Sequence, residues 1–252
     1  MTKITYDPES EVSNMSCDRD ANLRSLIARK KLNLVLDLDN TLIHAIKTKD
    51  ITPSDQQCLK HLRCRNWFKE GKLFKLDDYL VKPRPNVYTF LKEASALFDL
   101  SVFTLQTKDY ANKAVEILDP KGLYISPLNV FSREDCKKPM MKDLDVVNQD
   151  ERVTLVVDDT KWVWAADNQK NVIGLNPYLF FEVGNKQWNM KHAGLQLRGD
   201  ESEKYGELAR VLRELKKIHI AFFDTEANQV DYENRDVRDV VEDVRKNFRL
   251  LK

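Results

Sequence analysis

The fold turns on one stretch, Leu32-Asn33-Leu34-Val35-Leu36-Asp37-Leu38-Asp39-Asn40-Thr41. Residues 32–36 are apolar at all positions but Asn33, and the run ends abruptly at Asp37. Such a short apolar run bounded by polar residues reads as a buried strand. The strand's end projects the Asp37 carboxylate outward, and Asp39 follows two residues later, near enough to share a substrate with it. One carboxylate of such a pair can attack phosphorus as a nucleophile. The other can protonate a leaving oxygen and later accept a proton from water. Two carboxylates repel a phosphate dianion, so this chemistry calls for a divalent cation held by oxygen ligands, for which Mg²⁺ is suited. Taken alone, Asp37-Leu38-Asp39-Asn40-Thr41 is also compatible with an ordinary Asx turn.

Working outward, further short strands are expected at Leu100–Phe103, ending at Thr104, and at Val153–Val157, ending at Asp158-Asp159. A fourth is expected at Val172–Leu175, closed by Pro177 and Tyr178. Between them lie two helical patterns. Val87, Phe90, Leu91, Ala94, Leu97 and Phe98 recur on one helix face just after Pro85. Tyr110, Ala111, Ala114, Val115 and Leu118 do so on a second, which Asp119-Pro120 stops. Strands alternating with helices imply an α/β class with a central, mostly parallel sheet. Ligands bind such sheets beyond the carboxyl ends of the strands. Asp37, Asp39, Thr104, Asp158 and Asp159 all fall at such ends.

The segment 45–82 interrupts this alternation. Trp67-Phe68 and Leu73-Phe74 flank Lys69-Glu70-Gly71-Lys72, which predicts a hairpin. Residues 45–84 carry ten Lys and Arg against five Asp and Glu, a local excess of five positive charges. A basic rim with Trp67, Phe68 and Phe74 suits an extended phosphorylated peptide, although charge alone equally fits a solvated hairpin face. The last fifty residues form two amphipathic stripes. One runs through Tyr205, Leu208, Val211, Leu212, Leu215, Ile218, Phe222 and Phe223, the other from Val237 to Leu251. Both are expected to be packing faces.

Composition removes whole classes. The chain has 252 residues, 42% hydrophobic and 32% charged, with 41 Lys and Arg against 40 Asp and Glu. That balance argues against a generic nucleic-acid-coating protein. No apolar run approaches the roughly 20 residues of a membrane helix, and the first residues show neither a secretory nor a transit signature. Cys17, Cys58, Cys64 and Cys136 are too scattered for a disulfide framework. Cys58, His61 and Cys64 suggest zinc, but no fourth ligand stands nearby, so ordinary reduced thiols are expected.

The stretch Val35-Leu36-Asp37-Leu38-Asp39-Asn40-Thr41-Leu42-Ile43-His44-Ala45 resembles the DxDxT signature of the haloacid dehalogenase superfamily. More specifically it resembles the phosphatases of the RNA polymerase II C-terminal domain. The resemblance continues in order through Lys82-Pro83-Arg84-Pro85-Asn86-Val87, then Val102-Phe103-Thr104 to Tyr110-Ala111. Ser132-Arg133 with Lys142-Asp143-Leu144 and Val156-Val157-Asp158-Asp159 with Val163-Trp164 come next. Pro177-Tyr178 and Phe180-Phe181 close the block. It spans about Asn33 to Phe181, with all four superfamily motifs in register.

The resemblance implies a three-layer haloacid-dehalogenase-like Rossmannoid fold with a small β-rich insertion. It implies a Mg²⁺-dependent protein serine/threonine phosphatase that dephosphorylates phosphoserine in the polymerase heptad repeats through an aspartyl-phosphate. Asp37 is then the nucleophile and Asp39 the general acid and base, its backbone carbonyl also binding metal. Thr41 supports the loop and the phosphate, and Thr104 donates to the phosphoryl oxygens. Lys142 neutralises charge, Asp159 binds metal directly, and Asp158 orients Lys142 or a metal-bound water. Arg84, Trp67 and Phe74 are the expected substrate contacts, with Arg84, pinned between two prolines, alternatively structural.

The tail residues Leu208, Leu212, Leu215, Ile218-His219 and Phe222-Phe223 resemble the branch that associates with transcription factor IIF. In that branch a BRCT module is expected next, and no such module follows within the sequence. The expected organisation is an arm at 1–27, a catalytic domain at 28–198 with its insertion at 45–82, and a helical segment at 199–252. A nuclear, monomeric enzyme is expected, whose partners are the phosphorylated polymerase tail and general transcription factors, without membrane or direct nucleic-acid contact. A phosphatase for another phosphoester, such as a nucleic-acid end, and a non-catalytic scaffold of the same fold are the alternatives.

Overall fold

A computed structural model describes residues 19–60, 66–182, 200–223 and 235–250. His61 and Cys64 lie outside the described residues, so the suggested zinc cluster does too.

Five parallel strands form the central sheet: β1 (Leu32–Leu36), β5 (Phe98–Phe103), β6 (Ile125–Phe131), β7 (Thr154–Asp158) and β8 (Val172–Gly174), in the order β6-β5-β1-β7-β8. β1 is central and buried throughout, between β5 and β7. Burying each of its Leu and Val side chains stabilises the fold by about 1.5–3 kcal/mol. From β1 the chain builds β5 and β6 on one side and then returns to add β7 and β8 on the other. That reversal opens a crevice above the carboxyl end of β1, the usual place for a ligand.

A second sheet, antiparallel in the order β2-β4-β3, consists of β2 (Ile43–Lys47), β3 (Phe74–Leu76) and β4 (Tyr79–Pro83). It forms the insertion beside that crevice, and α2 (Pro53–Lys60) lies between β2 and β3. The hairpin is not the one expected: β3 pairs with β4 around Asp77-Asp78, and Trp67-Phe68 lie in turns. The reason is burial, since Leu76, Leu80 and Val81 reach apolar cores while Phe68 is 55% exposed.

The helices obey their stripes. α3 (Val87–Ser95) buries Val87, Phe90, Leu91 and Ala94, and α4 (Lys108–Leu118) buries Tyr110, Ala111, Ala114, Val115 and Leu118. Thr107 caps α4 by accepting a hydrogen bond from the Tyr110 amide. A one-turn α5 (Leu144–Val147) follows β6. The long α6 (Glu207–Phe223) packs against α3 and against α7 (Val237–Leu250), placing Leu208, Val211, Leu215, Ile218 and Phe222 in the same core as β1.

Four expectations need correction. Phe98 opens β5 instead of ending the preceding helix, pairing with Leu32. β6 has no counterpart among the expected strands; Ser126, Pro127 and Leu128 are exposed on its outer edge and hide the strand pattern. Tyr205 is 72% exposed ahead of α6. Across the end of the arm expected at 1–27, residues 19–28 form a helix, α1, that buries Leu23 and Leu26 in the main core.

Candidate active site

β1, β5 and β7 bring their carboxyl ends together, and with them Asp37, Asp39, Thr104, Asp158 and Asp159. After Leu36 the chain makes a tight turn in which the amides of Thr41, Leu42 and Ile43 all bond to the Leu38 carbonyl. Asn40 takes a positive φ of 63° there, which Asn tolerates better than most side chains. Lys142 arrives from the other side. Its amide bonds to the Val163 carbonyl at 2.7 Å, and its own carbonyl accepts from Ala165 at 2.9 Å, which fixes it beside Trp164.

The Lys142 ammonium lies 2.6 Å from Asp37 Oδ1 and 2.7 Å from Asp158 Oδ2, with all three residues buried. Asp158 Oδ2 also accepts from Trp164 Nε1 at 2.8 Å, and its Oδ1 accepts from the Thr160 amide at 2.8 Å. Thr41 Oγ1 accepts from the Asp159 amide at 3.1 Å and lies 3.2 Å from Asp159 Oδ1. Thr41 therefore ties the β1 loop to the β7 loop. Asp39 Oδ1 accepts the Tyr110 hydroxyl at 2.7 Å. Thr104 Oγ1 accepts from the Gln106 amide at 3.2 Å.

Burial, and next the charge of Asp158, push the Asp37 carboxyl well above the usual range. Burial also raises Asp39 and, with Asp158 adding to it, takes Asp159 to about 6. For Lys142 burial opposes the charge, but Asp37 and Asp158 together outweigh it and raise its pKa. One cation thus faces three clustered acids. Ligand oxygens of Asp37, Asp158 and Asp159 lie within 4.8 Å of one another. This set of hard oxygen donors, with more negative charge than Lys142 can balance, fits a Mg²⁺-type ion. The Asp39 carboxylate is outside that trio.

A cavity of about 330 Å³ opens over this cluster, lined by Asp37, Asp39, Thr104, Lys142, Asp158 and Asp159. Its rim carries Met140 and Trp162, 64% and 67% exposed, which sequence reasoning does not single out. The three expected substrate contacts lie elsewhere. Trp67 and Arg84 border a different cleft of about 460 Å³, and Phe74 borders a third of about 670 Å³.

Arg84 is corrected from substrate contact to structural clamp. Buried, it donates to Glu201 Oε1 and Oε2 at 2.7 and 3.0 Å and to the carbonyls of Asn40, Thr41 and Asn176. These five bonds match the five N–H groups of a guanidinium. Trp67 packs on Phe180 and under Lys82, which is itself paired with Asp200 at 2.7 Å. Lys82 and Arg84 thereby drop out of the expected basic rim.

Two further site residues escape the sequence reading, Tyr110 and Trp164. In the sequence both stand only as packing or motif-flanking residues. The available signal is a polar tip on a buried aromatic, which needs a hydrogen-bond partner.

Comparison with known proteins matches residues 32–197 to the family model described as NLI interacting factor-like phosphatase. RNA polymerase II C-terminal domain phosphatase-like 4 of Arabidopsis thaliana is 37% identical over 248 residues, 95% of this chain and 54% of that protein. RNA polymerase II C-terminal domain phosphatase-like 3 of the same organism is 30% identical over 221 residues, 83% of this chain and 18% of that one. This chain therefore spans about half the length of the first relative and less than a fifth of the second. Among solved structures, Fcp1, described as an essential RNA polymerase II CTD phosphatase, superposes with a TM-score of 0.69 at 23% identity, over 89% of this chain and 73% of that one. That likeness supports the haloacid-dehalogenase-like α/β fold. With the family model covering most of its length, the chain belongs to the NLI interacting factor-like phosphatase family.

Proposed function

We propose that this chain is a Mg²⁺-dependent protein serine/threonine phosphatase working through an aspartyl-phosphate on Asp37. Its substrate in this reading is phosphoserine in the heptad repeats of the RNA polymerase II C-terminal domain. The observation that carries the reading is the buried Asp37–Lys142–Asp158 array at the end of β1, with Asp39 held two residues away. The names of the relatives support the polymerase tail as the substrate.

Asp37 presents a carboxylate oxygen to phosphorus, and Lys142 holds that oxygen's orientation and balances charge on the transferring group. Asp39 supplies the proton that the serine oxygen needs on leaving, then removes one from the attacking water. Thr104, which lines the same cavity, is placed to donate to a phosphoryl oxygen. Thr41 keeps the Asp159 loop against the β1 loop. Mg²⁺, held by Asp37, Asp159 and the Asp39 carbonyl with Asp158 adjacent, would supply charge neutralisation for the phosphate dianion.

A nuclear location follows from that substrate, and general transcription factors are the class of partner to seek. A shared site core does not fix the substrate, so the test is comparative. Phosphoserine heptad peptides, an unrelated phosphopeptide and a DNA end phosphate are assayed side by side, with a metal-free control. The reading expects the heptad peptide to be preferred and the metal-free reaction to be silent. Preference for the DNA end would replace the substrate, and no metal-dependent turnover of any substrate would favour the scaffold.

A further inference from the structure

Asp39 is held unevenly. Its Oδ1 accepts the Tyr110 hydroxyl at 2.7 Å, whereas its Oδ2 is buried and has no hydrogen-bond partner among the described residues. An unpaired buried carboxylate oxygen is costly and calls for an explanation. Tyr110 itself is 6% exposed and immobilised from several sides. Its amide caps onto Thr107 at 3.3 Å, fixing the first turn of α4. Its ring meets Tyr79 edge-on, with centroids 5.5 Å apart at 66°, and Tyr79 belongs to β4 of the insertion sheet. Lys47 of β2 lies 5.5 Å above the Tyr79 ring. A phenylalanine would fill the same core space, so packing alone does not account for the hydroxyl.

We propose that Tyr110 is a positioning residue for the acid and base: it pins Oδ1 and leaves Oδ2 of Asp39 as the oxygen that exchanges the proton. Tyr79 buttresses it, so that the insertion sheet takes part in orienting the catalytic carboxyl. This inference rests on the phosphatase reading above. In the first step Asp37 bonds to phosphorus and the phosphorus–oxygen bond to serine breaks. The departing electron pair on the serine oxygen takes the proton from Asp39 Oδ2. In the second step water attacks phosphorus and gives a proton to the same Oδ2. The phosphorus–Asp37 bond breaks, returning its pair to the carboxylate and releasing inorganic phosphate. Asp39 ends as it began.

The test measures kcat/KM for a phosphoserine peptide and for aryl phosphates running from nitrophenyl to phenyl, in the wild type, Tyr110→Phe and Tyr79→Leu. A nitrophenolate leaves without help from an acid, whereas phenolate and serine need the proton. Tyr110→Phe should therefore lower kcat/KM at least about tenfold for the peptide and less than about threefold for the nitrophenyl ester, within the range general acid catalysis supplies. The dependence on leaving-group basicity should steepen. Tyr79→Leu should move the same way by less, and serves if Tyr110→Phe does not fold. In an Asp39→Asn background, Tyr110→Phe should add nothing. An equal loss on every ester, with the slope unchanged, would make Tyr110 merely structural and overturn the proposal. A wild type inert toward all of them would overturn the phosphatase reading and this inference with it.

Discussion

The ammonium of Lys142 and the carboxylate of Asp37 stand 2.6 Å apart in a setting from which water is almost excluded, both side chains being under a tenth exposed. The pair is asymmetric in its consequences. Lys142 also bonds Asp158 at 2.7 Å, and so restrains two acids that otherwise repel each other.

Replacing Lys142 by Met should therefore do more than remove a charge. Truncating one partner of a buried ion pair costs about 3–5 kcal/mol, because the remaining charge is left uncompensated. Turnover should fall by roughly 100-fold or more, the scale seen when a transition-state charge partner is lost. Combining Lys142→Met with Asp158→Asn should cost less stability than the two single changes added together. Denaturant titration and steady-state kinetics on the three variants check this, and strict additivity would contradict the coupling.

Arg84 gives a second prediction. Its guanidinium holds the carbonyls of Asn40 and Thr41 in the active-site loop and is itself held by Glu201. Arg84→Ala leaves the partly buried Glu201 without its partner and the loop carbonyls without their donor, with an expected loss of about 3–5 kcal/mol. For a chain of this size that lowers Tm by on the order of 10 °C. Glu201→Gln should show a milder fall in the same direction. A calorimetric Tm within a degree or two of wild type for Arg84→Ala would show that the clamp is not structural.

The β1 end is legible because chemistry and periodicity break at the same residue: four apolar side chains in five, then Asp37. The same break exposes Thr104 and Asp158-Asp159. Lys142 has no such signature, lying in a loop among other lysines, and only its resemblance to a motif singles it out. What the pattern conceals has physical causes. Leu97 and Phe98 continue the spacing of the preceding helix, yet Phe98 begins a strand because pairing with Leu32 completes the sheet. β6 shows little alternation because it is an edge strand with Pro127 on its open side. Arg84 looks like a phosphate ligand because its partner Glu201 lies 117 residues away. Tyr110 and Trp164 look like core because their rings are core, and only their polar tips reach the site.

Stability against acid should carry the mark of His44. Burial, weakly opposed by Asp55, holds its pKa down to about 4 from the ordinary 6.5. Its Nδ1 accepts the Phe181 amide at 3.0 Å, a bond that protonation there would break. The unfolded chain takes up this proton near pH 6.5 and the folded chain only near 4. The contribution is therefore intact above 6.5 and is lost as pH falls toward 4, amounting to about 3 kcal/mol. Asp159, raised to about 6, works with the opposite sign, so the wild-type curve alone does not isolate His44. The difference between wild type and His44→Gln does. Urea unfolding of the two across that window should show the variant gaining relative stability as pH falls, and parallel curves would refute the assignment.

Trp162 on the cavity rim should serve peptides more than small esters. Trp162→Ala is expected to raise KM for a phosphopeptide several-fold, as truncating an aromatic contact does. KM for a nitrophenyl phosphate should change little, since that ester reaches only the carboxylate cluster. Equal effects on both would assign Trp162 to the fold of its loop instead.

The most direct test of the central claim is the covalent intermediate itself. Turnover of a phosphoserine peptide is quenched in acid within the first cycle, and the protein is digested and mapped by mass spectrometry. The account predicts a phosphoryl group on the peptide containing Asp37, labile to hydroxylamine as acyl phosphates are, and absent from Asp37→Asn. Undiminished turnover by Asp37→Asn, or a phosphoryl group on any other residue, would contradict it.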